Sequence, residues 1–101
     1  MNEERKYLTL PDAVLQRDGP FTEFKQDAAF VSVELQDGRF FHHLLIVYPN
    51  YIVALKDHAT LPFRLAEIVR AFQTKEDRKL RSTVGWTFWP YPGYPRSQAG
   101  A

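Results

Sequence analysis

Apolar and polar residues alternate in the first third of the chain, where Val31, Val33 and Leu35 stand two positions apart with polar residues between them. A period of two is typical of a β-strand that buries one face. Asp37-Gly38 follows, and this dipeptide is a common signal of a two-residue hairpin turn. The pattern therefore predicts a hairpin whose second strand runs through residues 39–48 and is longer and more apolar than the first.

A third strand and a short helix flank this hairpin. Residues 51–56 follow the Pro49-Asn50 turn and are predicted to form the third strand of a meander. Near the N-terminus, Thr9–Asp12 combines a hydroxyl, a proline and an acid that suit a helix start, and Asp18–Pro20 is expected to end the helix. We expect the three strands to bury one face in a shared core of Val31, Val33, Leu35, Leu45, Val47, Ile52 and Ala54.

The segment over residues 65–72 fits two patterns. Its apolar residues are spaced as on one face of a helix, so the local pattern favours a helix. A three-stranded meander, however, leaves two open edges, which a fourth strand over Glu67–Phe72 and a fifth over Thr83–Trp89 would cover. We therefore predict strands here, and a mainly β fold of about five antiparallel strands with a short N-terminal helix.

Composition limits the class of protein. A chain of 101 residues with 45% hydrophobic and 25% charged residues is typical of one globular domain. We predict that this domain spans residues 1–89 and that residues 90–101 form an aromatic and proline-rich tail. The chain has no cysteine, which excludes disulfides, thiolate-bound metals and thiol catalysis. No apolar run approaches the length of a membrane span and the first residues are charged, so we expect a soluble, cytoplasmic protein with no membrane partner.

The formal net charge of +1 points to no class of partner, but the charge is divided unevenly. Residues 63–101 carry seven basic and three acidic side chains, against six and nine in residues 1–62. Much of the basic excess lies in Lys75–Arg81, a run without apolar periodicity. Such a run is typical of a solvated turn, and a nucleic-acid-binding patch is the alternative.

Residues suited to catalysis or metal binding are few. His42 and His43 are neighbours in a predicted strand, where consecutive side chains point to opposite faces, so they are not expected to bind one ion together. Ser32 does not lie in a glycine-bounded elbow, and the chain has no glycine-rich phosphate loop. We therefore predict a protein that is not an enzyme, with no catalytic residue, no metal and no cofactor.

The residues from Val31 to Arg39 resemble the first motif of the Sm and Sm-like family. In that family a short helix precedes the barrel, and the second strand carries an aromatic residue, a glycine and a leucine. Phe41, His43 and Leu45 take these places here, so the glycine that normally bends this strand is missing. The resemblance implies a small open barrel of the SH3-like or Sm-like type.

The same resemblance implies a site for single-stranded RNA. Ile68-Val69-Arg70-Ala71 resembles the end of the family's second motif, whose arginine stacks beside a base, so Arg70 is the first candidate. The family's base-contacting Asp and Asn positions are occupied by Pro49 and Val53, which leaves Asn50 as the nearby substitute. Aromatic side chains beside this loop stack on bases in some proteins and pack as half-buried residues in others. Here they are Tyr48 and Tyr51.

Sm proteins assemble into rings in which the fourth strand of one subunit pairs with the fifth of the next, and the resemblance therefore implies a homo-oligomer. The expected interface residues are Ile68, Phe72, Val84, Trp86 and Phe88. A second hypothesis is a structural or protein-interaction module that binds no nucleic acid. Aromatic residues make up 15% of the chain, more than one small core holds, so the aromatic tail is expected either to bind a protein partner or to fold back over its own domain.

Overall fold

Four β-strands and two short helices make up the structure, a computed structural model that describes residues 7–92. In chain order they are helix α1 (Asp12–Asp18), strands β1 (Ala28–Leu35), β2 (Phe40–Val47) and β3 (Tyr51–Leu55), a 3-10 turn (Leu65–Glu67), strand β4 (Ile68–Phe72) and helix α2 (Lys75–Lys79). The strands form one open antiparallel sheet in the order β3-β2-β1-β4. The prediction of a mainly β fold with a short N-terminal helix is confirmed, and the predicted fourth strand is present but begins one residue later.

Local signals account for the first elements. Helix α1 begins after Pro11, whose fixed φ suits a helix start, and it ends before Gly19. The hairpin between β1 and β2 turns at Gly38, whose φ of 91° lies in the left-handed region that glycine adopts without strain. A hydrogen bond of 2.9 Å from Leu35 N–H to Arg39 C=O closes the turn.

The main core lies on one face of the sheet, against α1. It is formed by the buried side chains of Leu10, Val14, Ala29, Val31, Val33, Leu35, Leu44, Ile46, Ile52, Leu55, Phe63, Ile68 and Ala71. The alternation predicted for β1 is confirmed, because Val31, Val33 and Leu35 all belong to this core. Burial of a large aliphatic side chain contributes about 1.5–3 kcal/mol, so this cluster is the larger apolar contribution to folding.

The opposite face of the sheet carries a smaller second core, formed by Ala28, Phe30, Leu45, Val53 and Ala54 and covered in part by Phe24, Leu80, Trp86 and Tyr91. Three residues expected in a single shared core, Leu45, Val47 and Ala54, pack here instead. The expectation of one shared core is therefore wrong, and the reason lies in the pairing of β1 with β2.

A β-bulge interrupts the alternation of β2. The residues of β1 on either side of Ser32 pair with Phe41 and Leu44, so Ser32 stands opposite two residues, His42 and His43. The extra residue reverses which side chains of β2 face the main core. His43 has a φ of 67°, in the left-handed region, at the place where the Sm pattern has glycine. The prediction that His42 and His43 point to opposite faces is wrong, because it assumed an unbroken period of two, and both rings join one hydrogen-bonded cluster.

The expected fifth strand over Thr83–Trp89 is not formed, and within residues 7–92 the sheet has four strands. This segment is irregular with a turn at Gly85, and it meets β3 through a hydrogen bond of 2.8 Å from Trp89 N–H to Val53 C=O. The neighbouring part of the β3 edge is already bonded, at 2.8 Å, to the N-terminal segment Leu8–Leu10. A strand of seven residues therefore has too little free edge to pair along its length.

Side chains of α1 cover the outer edge of β4. Arg17 donates from Nη2 to Val69 C=O at 2.6 Å, and Asp18 Oδ2 accepts from Ala71 N–H at 2.9 Å. Arg17 and Asp18 are also paired with each other at 2.7 Å. The hydrogen bond from Arg17 lowers the pKa of Asp18 below its ordinary value, although partial burial opposes this shift. Each outer edge of the sheet thus has partners within the chain along part of its length.

The C-terminal segment follows the sheet as far as Pro92, where the described residues end. Tyr91 packs against the second core, in the manner of a tail that folds back over its own domain. The remainder of the predicted tail, residues 93–101, lies outside the described residues. Among residues 7–92, no helix has the length and apolar character needed to cross a membrane.

Candidate functional site

A buried carboxylate, Asp77, is the centre of a polar cluster between α2 and the sheet, with an exposed fraction of 1%. Its Oδ1 accepts from the backbone N–H of His43 at 3.2 Å and from the Nδ1 of the same residue at 2.7 Å. Its Oδ2 accepts from Ser32 Oγ at 2.7 Å and from Thr74 N–H at 2.9 Å. Ser32 Oγ also lies 2.7 Å from His42 Nδ1. These five residues form the Asp77 cluster.

Helix α2 and the bulge in β2 place the members of the cluster together. Thr74 Oγ1 accepts from Asp77 N–H at 3.0 Å, and the Asp77 carboxylate accepts in turn from Thr74 N–H, which completes a capping box at the start of α2. The bulge brings two consecutive residues of β2 opposite Ser32. The third residue of a short helix and the bulge of a strand therefore meet at one buried point.

Asp77 is stabilised as a carboxylate. Burial raises the pKa of this group, but hydrogen bonds from Thr74, Ser32 and His43 together outweigh burial and bring the pKa below its ordinary value. The cluster therefore holds a buried negative charge beside two imidazole rings.

The hydrogen bonds define which imidazole nitrogens are occupied. A carboxylate only accepts, so His43 donates its Nδ1 proton to Asp77. Ser32 gives its single hydroxyl proton to Asp77, so it accepts from His42 Nδ1. In both rings Nδ1 is engaged, and Nε2 has no hydrogen-bond partner within residues 7–92. The two ring centroids lie 6.2 Å apart.

A group of aromatic and charged side chains adjoins the Asp77 cluster on the second face of the sheet. The group, called here the aromatic face, consists of Glu34, Phe40, His42, Arg70 and Phe72. Strand pairing brings it together, because Glu34 stands opposite both Phe40 in β2 and Arg70 in β4. The Phe40 ring is 47% exposed and lies 6.1 Å from the Phe72 ring at an angle of 82°. The Arg70 guanidinium lies 4.4 Å over the Phe72 ring and donates to Glu34 Oε1 at 2.6 Å.

Basic side chains surround Asp77 in the sequence of α2 and the turn after it. Lys75, Arg78, Lys79 and Arg81 are all exposed, whereas Asp77 in the same run is buried. The run therefore contributes its positive charges to the surface and one negative charge to the interior. The prediction of a solvated turn is wrong for the backbone, because Lys75–Lys79 forms helix α2, but the basic side chains are exposed as expected. The nucleic-acid patch stays a prediction.

The four predicted RNA-binding residues do not form one site. Arg70 lies on edge strand β4, whereas Asn50 and Tyr51 lie at the start of β3 on the opposite edge of the sheet. Asn50 donates from Nδ2 to Leu10 C=O at 2.9 Å and so ties its turn to the N-terminal segment. Tyr51 packs against the second core. Tyr48 is 71% exposed and lines a mainly apolar cavity of about 430 Å³.

The predicted interface residues are also divided. Ile68 is buried in the main core, and Phe72 belongs to the aromatic face. Trp86 packs against the second core, as expected for a segment that folds back over its own domain. Val84 and Phe88 are exposed, at 90% and 37%.

The Asp77 cluster and the exposed side chain of Phe40 were not predicted from the sequence. Thr74 and Asp77 have the spacing of a capping box, and this signal marks Asp77 as a helix-start residue. Alternation of apolar and polar residues does not indicate where a β-bulge occurs. The bulge that brings His42 and His43 into one cluster was therefore not predicted from this alternation. Metal binding was not expected, and no group of three or more potential metal ligands occurs among residues 7–92.

Comparison with known proteins identifies no family for this chain. No family model, no curated protein and no solved structure matches it. The similarity to the Sm family therefore depends on the motif residues alone, and function follows from the geometry of the site rather than from the fold.

Proposed function

We propose that this chain binds single-stranded RNA on the aromatic face. The observation that carries the proposal is the Arg70 guanidinium, which lies 4.4 Å over the Phe72 ring, while the exposed Phe40 lies 6.1 Å from that same ring. A cation and aromatic rings on one open sheet face are the features that hold unstacked bases in single-strand-binding proteins. Of the four residues predicted from the sequence to bind RNA, Arg70 is the one that belongs to this face.

Stacking on the rings supplies most of the affinity in this arrangement. A base that stacks on an exposed ring contributes about 1–3 kcal/mol without reading the sequence. Phe40 and Phe72 meet at 82°, and the Arg70 guanidinium lies over the Phe72 ring, so one base is expected to stack on Phe40 and another on the Arg70–Phe72 pair. Arg70 is already held by Glu34, which lowers the ordering cost when a base stacks on the guanidinium.

Phosphate contacts come from the exposed basic side chains of α2 and the turn after it. Basic residues next to stacking rings are typical of single-strand sites, because positive charge follows the backbone while the rings hold the bases. Glu34 opposes binding, since its carboxylate is the negative charge on the aromatic face and repels phosphate.

Fluorescence anisotropy with a labelled single-stranded oligouridine tests the proposal. Phe40→Ala and Arg70→Gln are each expected to raise Kd by about 10-fold, the equivalent of one lost stacking contact. Phe88→Ala is the matched control, because Phe88 is an exposed aromatic residue outside the aromatic face. The wild-type affinity should fall as the salt concentration rises. Equal Kd values for the wild type and Phe40→Ala contradict the proposal, and a chain that binds no RNA at low salt supports the protein-interaction module instead.

A homo-oligomer is a second proposal, and the exposed apolar side chains of Val84 and Phe88 favour it. The outer edges of β3 and β4 are bonded within the chain over part of their length, so we expect side chains rather than strand edges to form the interface. Light scattering at increasing protein concentration measures the assembly. Val84→Ser combined with Phe88→Ser should return it to the monomer, and a wild type that stays monomeric at high concentration overturns this proposal.

A further inference from the structure

We infer that His42 and His43 act together as an acid–base pair that cleaves RNA held on the aromatic face. The inference rests on the proposed function, because the bound strand is the substrate. It gives the Asp77 cluster a chemical role that binding alone does not require.

The two imidazoles are anchored at a separation that fits a phosphodiester. Asp77 fixes His43 through Nδ1, and Ser32 fixes His42 through Nδ1. Nε2 of each ring has no hydrogen-bond partner within residues 7–92, and the ring centroids lie 6.2 Å apart. A general acid or base reaches its oxygen over about 2.6–3.2 Å, and rings with centroids 6.2 Å apart are close enough for the Nε2 edge of each to serve one reacting oxygen of the same phosphodiester.

The different partners of the two rings assign their roles. His43 donates to a buried carboxylate, which stabilises the imidazolium that forms when Nε2 takes up a proton. His42 is exposed and is held by the neutral hydroxyl of Ser32, so it is suited to give a proton to a leaving oxygen. Asp77 and Ser32 are positioning residues in this arrangement.

The reaction is an internal transesterification that needs no co-reactant. Nε2 of His43 takes the proton of a ribose 2′-OH, and the 2′ oxygen attacks the adjacent phosphorus. The bond between phosphorus and the 5′ oxygen breaks, and this oxygen receives a proton from Nε2 of His42. The products are a 2′,3′-cyclic phosphate and a free 5′-OH, and one proton passes from His42 to the product as another passes to His43.

The backbone at His43 supports a role for its ring. A φ of 67° is strained for a residue with a side chain, and glycine adopts this conformation at no steric cost. Strained residues and bulges are enriched at active sites. The chain thus keeps an imidazole at a position where a glycine would satisfy the backbone.

The pair also borders the stacking surface. The centroid of the His42 ring lies 6.4 Å from that of Phe40 and 6.5 Å from that of Phe72. A base stacked on either phenylalanine therefore places its own phosphodiester beside the histidine pair.

The test uses the full chain and a DNA oligonucleotide with a single central ribouridine, labelled at its 5′ end, in the presence of EDTA. Excess protein gives single-turnover conditions, which separate chemistry from binding. We expect cleavage directly after the ribouridine, with a 2′,3′-cyclic phosphate identified by mass spectrometry. An all-deoxy strand of the same sequence should bind and stay intact, because it lacks the 2′-OH.

Three histidine variants, purified identically, identify the source of the activity. His42→Gln and His43→Gly should lower the cleavage rate constant by about 100-fold or more, and glycine at position 43 keeps the bulge because it tolerates the positive φ. His58→Gln is the matched control, since His58 lies outside the cluster and bonds to Lys56 C=O. Circular dichroism melting verifies that each variant is folded.

The outcomes separate this inference from the proposed function. Cleavage that persists equally in His42→Gln and His43→Gly, or that leaves a 5′ phosphate, belongs to a contaminating nuclease and overturns the inference. Binding of the all-deoxy strand without cleavage of the mixed strand overturns the inference and leaves the proposed function standing. Failure to bind either strand, together with failure to bind the oligouridine probe, overturns both. Binding of oligouridine without its cleavage overturns the inference alone.

Discussion

At the scale of single residues, Asp77 has the largest number of structural roles. Its carboxylate closes the capping box of α2, holds the ring and the backbone N–H of His43, and accepts from the buried hydroxyl of Ser32. Four donors stabilise this buried carboxylate, and its removal would leave all four without an acceptor inside the protein. The bulge and the short helix thus depend on one side chain.

Asp77→Asn should lower the free energy of unfolding by about 3 kcal/mol, because an amide replaces one accepting oxygen with a donor that faces other donors. Urea denaturation measures the change. Asp57→Asn is the matched control, since the Asp57 side chain is 79% exposed and its loss should change stability by no more than about 0.5 kcal/mol. A similar effect of both substitutions would contradict the central place of Asp77.

The contribution of Asp77 should depend on pH in a defined direction. Its pKa in the folded protein lies below the ordinary value of 3.8, so the unfolded chain binds a proton more readily. The stabilisation is therefore present above about pH 4 and is lost as the pH falls through the lower folded value. Unfolding free energies of the wild type and Asp77→Asn measured from pH 7 downward should differ by a constant amount and then converge. Convergence of the two unfolding free energies already above pH 5 would contradict a lowered pKa of Asp77.

Glu34 is the residue that limits RNA binding in the proposed site. Glu34→Gln removes its charge from the aromatic face and releases Arg70 from an ion pair of 2.6 Å. We expect tighter binding of oligouridine at low salt, by about 3-fold, because a nearby repulsion of this kind costs less than 1 kcal/mol at an exposed site. Glu76→Gln, an exposed acid outside the aromatic face, is the comparison. Weaker binding by Glu34→Gln would show that the ordering of Arg70 by this ion pair outweighs the repulsion between Glu34 and phosphate.

At the scale of elements, the covered sheet edges show where pattern-based prediction succeeds and where it ends. The period of two identified β1, and the Asp37-Gly38 turn identified its hairpin with β2, because both signals depend on neighbouring residues. One open edge of the meander is covered as predicted, because β4 pairs with β1. The outer edges of the four-stranded sheet are covered by α1 side chains and the N-terminal segment instead of a fifth strand. Hydrogen bonds between a side chain and a backbone group far away in the chain produce no repeating pattern, so they cannot be predicted from the spacing of residues. The Asp77 cluster escaped prediction for the same reason.

The outer edge of β4 offers a test of this covering. Arg17→Ala combined with Asp18→Ala removes the partners of Val69 C=O and Ala71 N–H, which should lower stability by about 1–2 kcal/mol and promote association through the freed edge. Sedimentation velocity at increasing concentration reports the association.

The control is the pair Asp37→Ala with Arg39→Ala, which removes a similar ion pair of 2.9 Å from the β1–β2 turn. That variant should not associate more than the wild type. If both variants associate to the same degree, the association is caused by loss of an ion pair rather than by exposure of the β4 edge.

At the scale of the whole molecule, the sheet has an apolar core on each face, and the main core contains more of the buried apolar side chains. Val33→Asp places a carboxylate in the main core, where the side chain is fully buried, and should destabilise by about 3–5 kcal/mol. Val84→Asp, on a side chain that is 90% exposed, is the matched control and should leave the melting temperature nearly unchanged. An unchanged melting temperature for Val33→Asp would mean that this face is not the main core.

The bulge has a further consequence for how β2 keeps its alignment. The strand begins with three identical pairs, Phe40-Phe41, His42-His43 and Leu44-Leu45, so a slip by one residue exchanges two faces of the same composition. Composition therefore barely distinguishes the two alignments over these six residues. The Gly38 turn and the hydrogen bonds from His43 to Asp77 favour the observed alignment. Together they determine which imidazole is held by the buried carboxylate and which by the hydroxyl of Ser32.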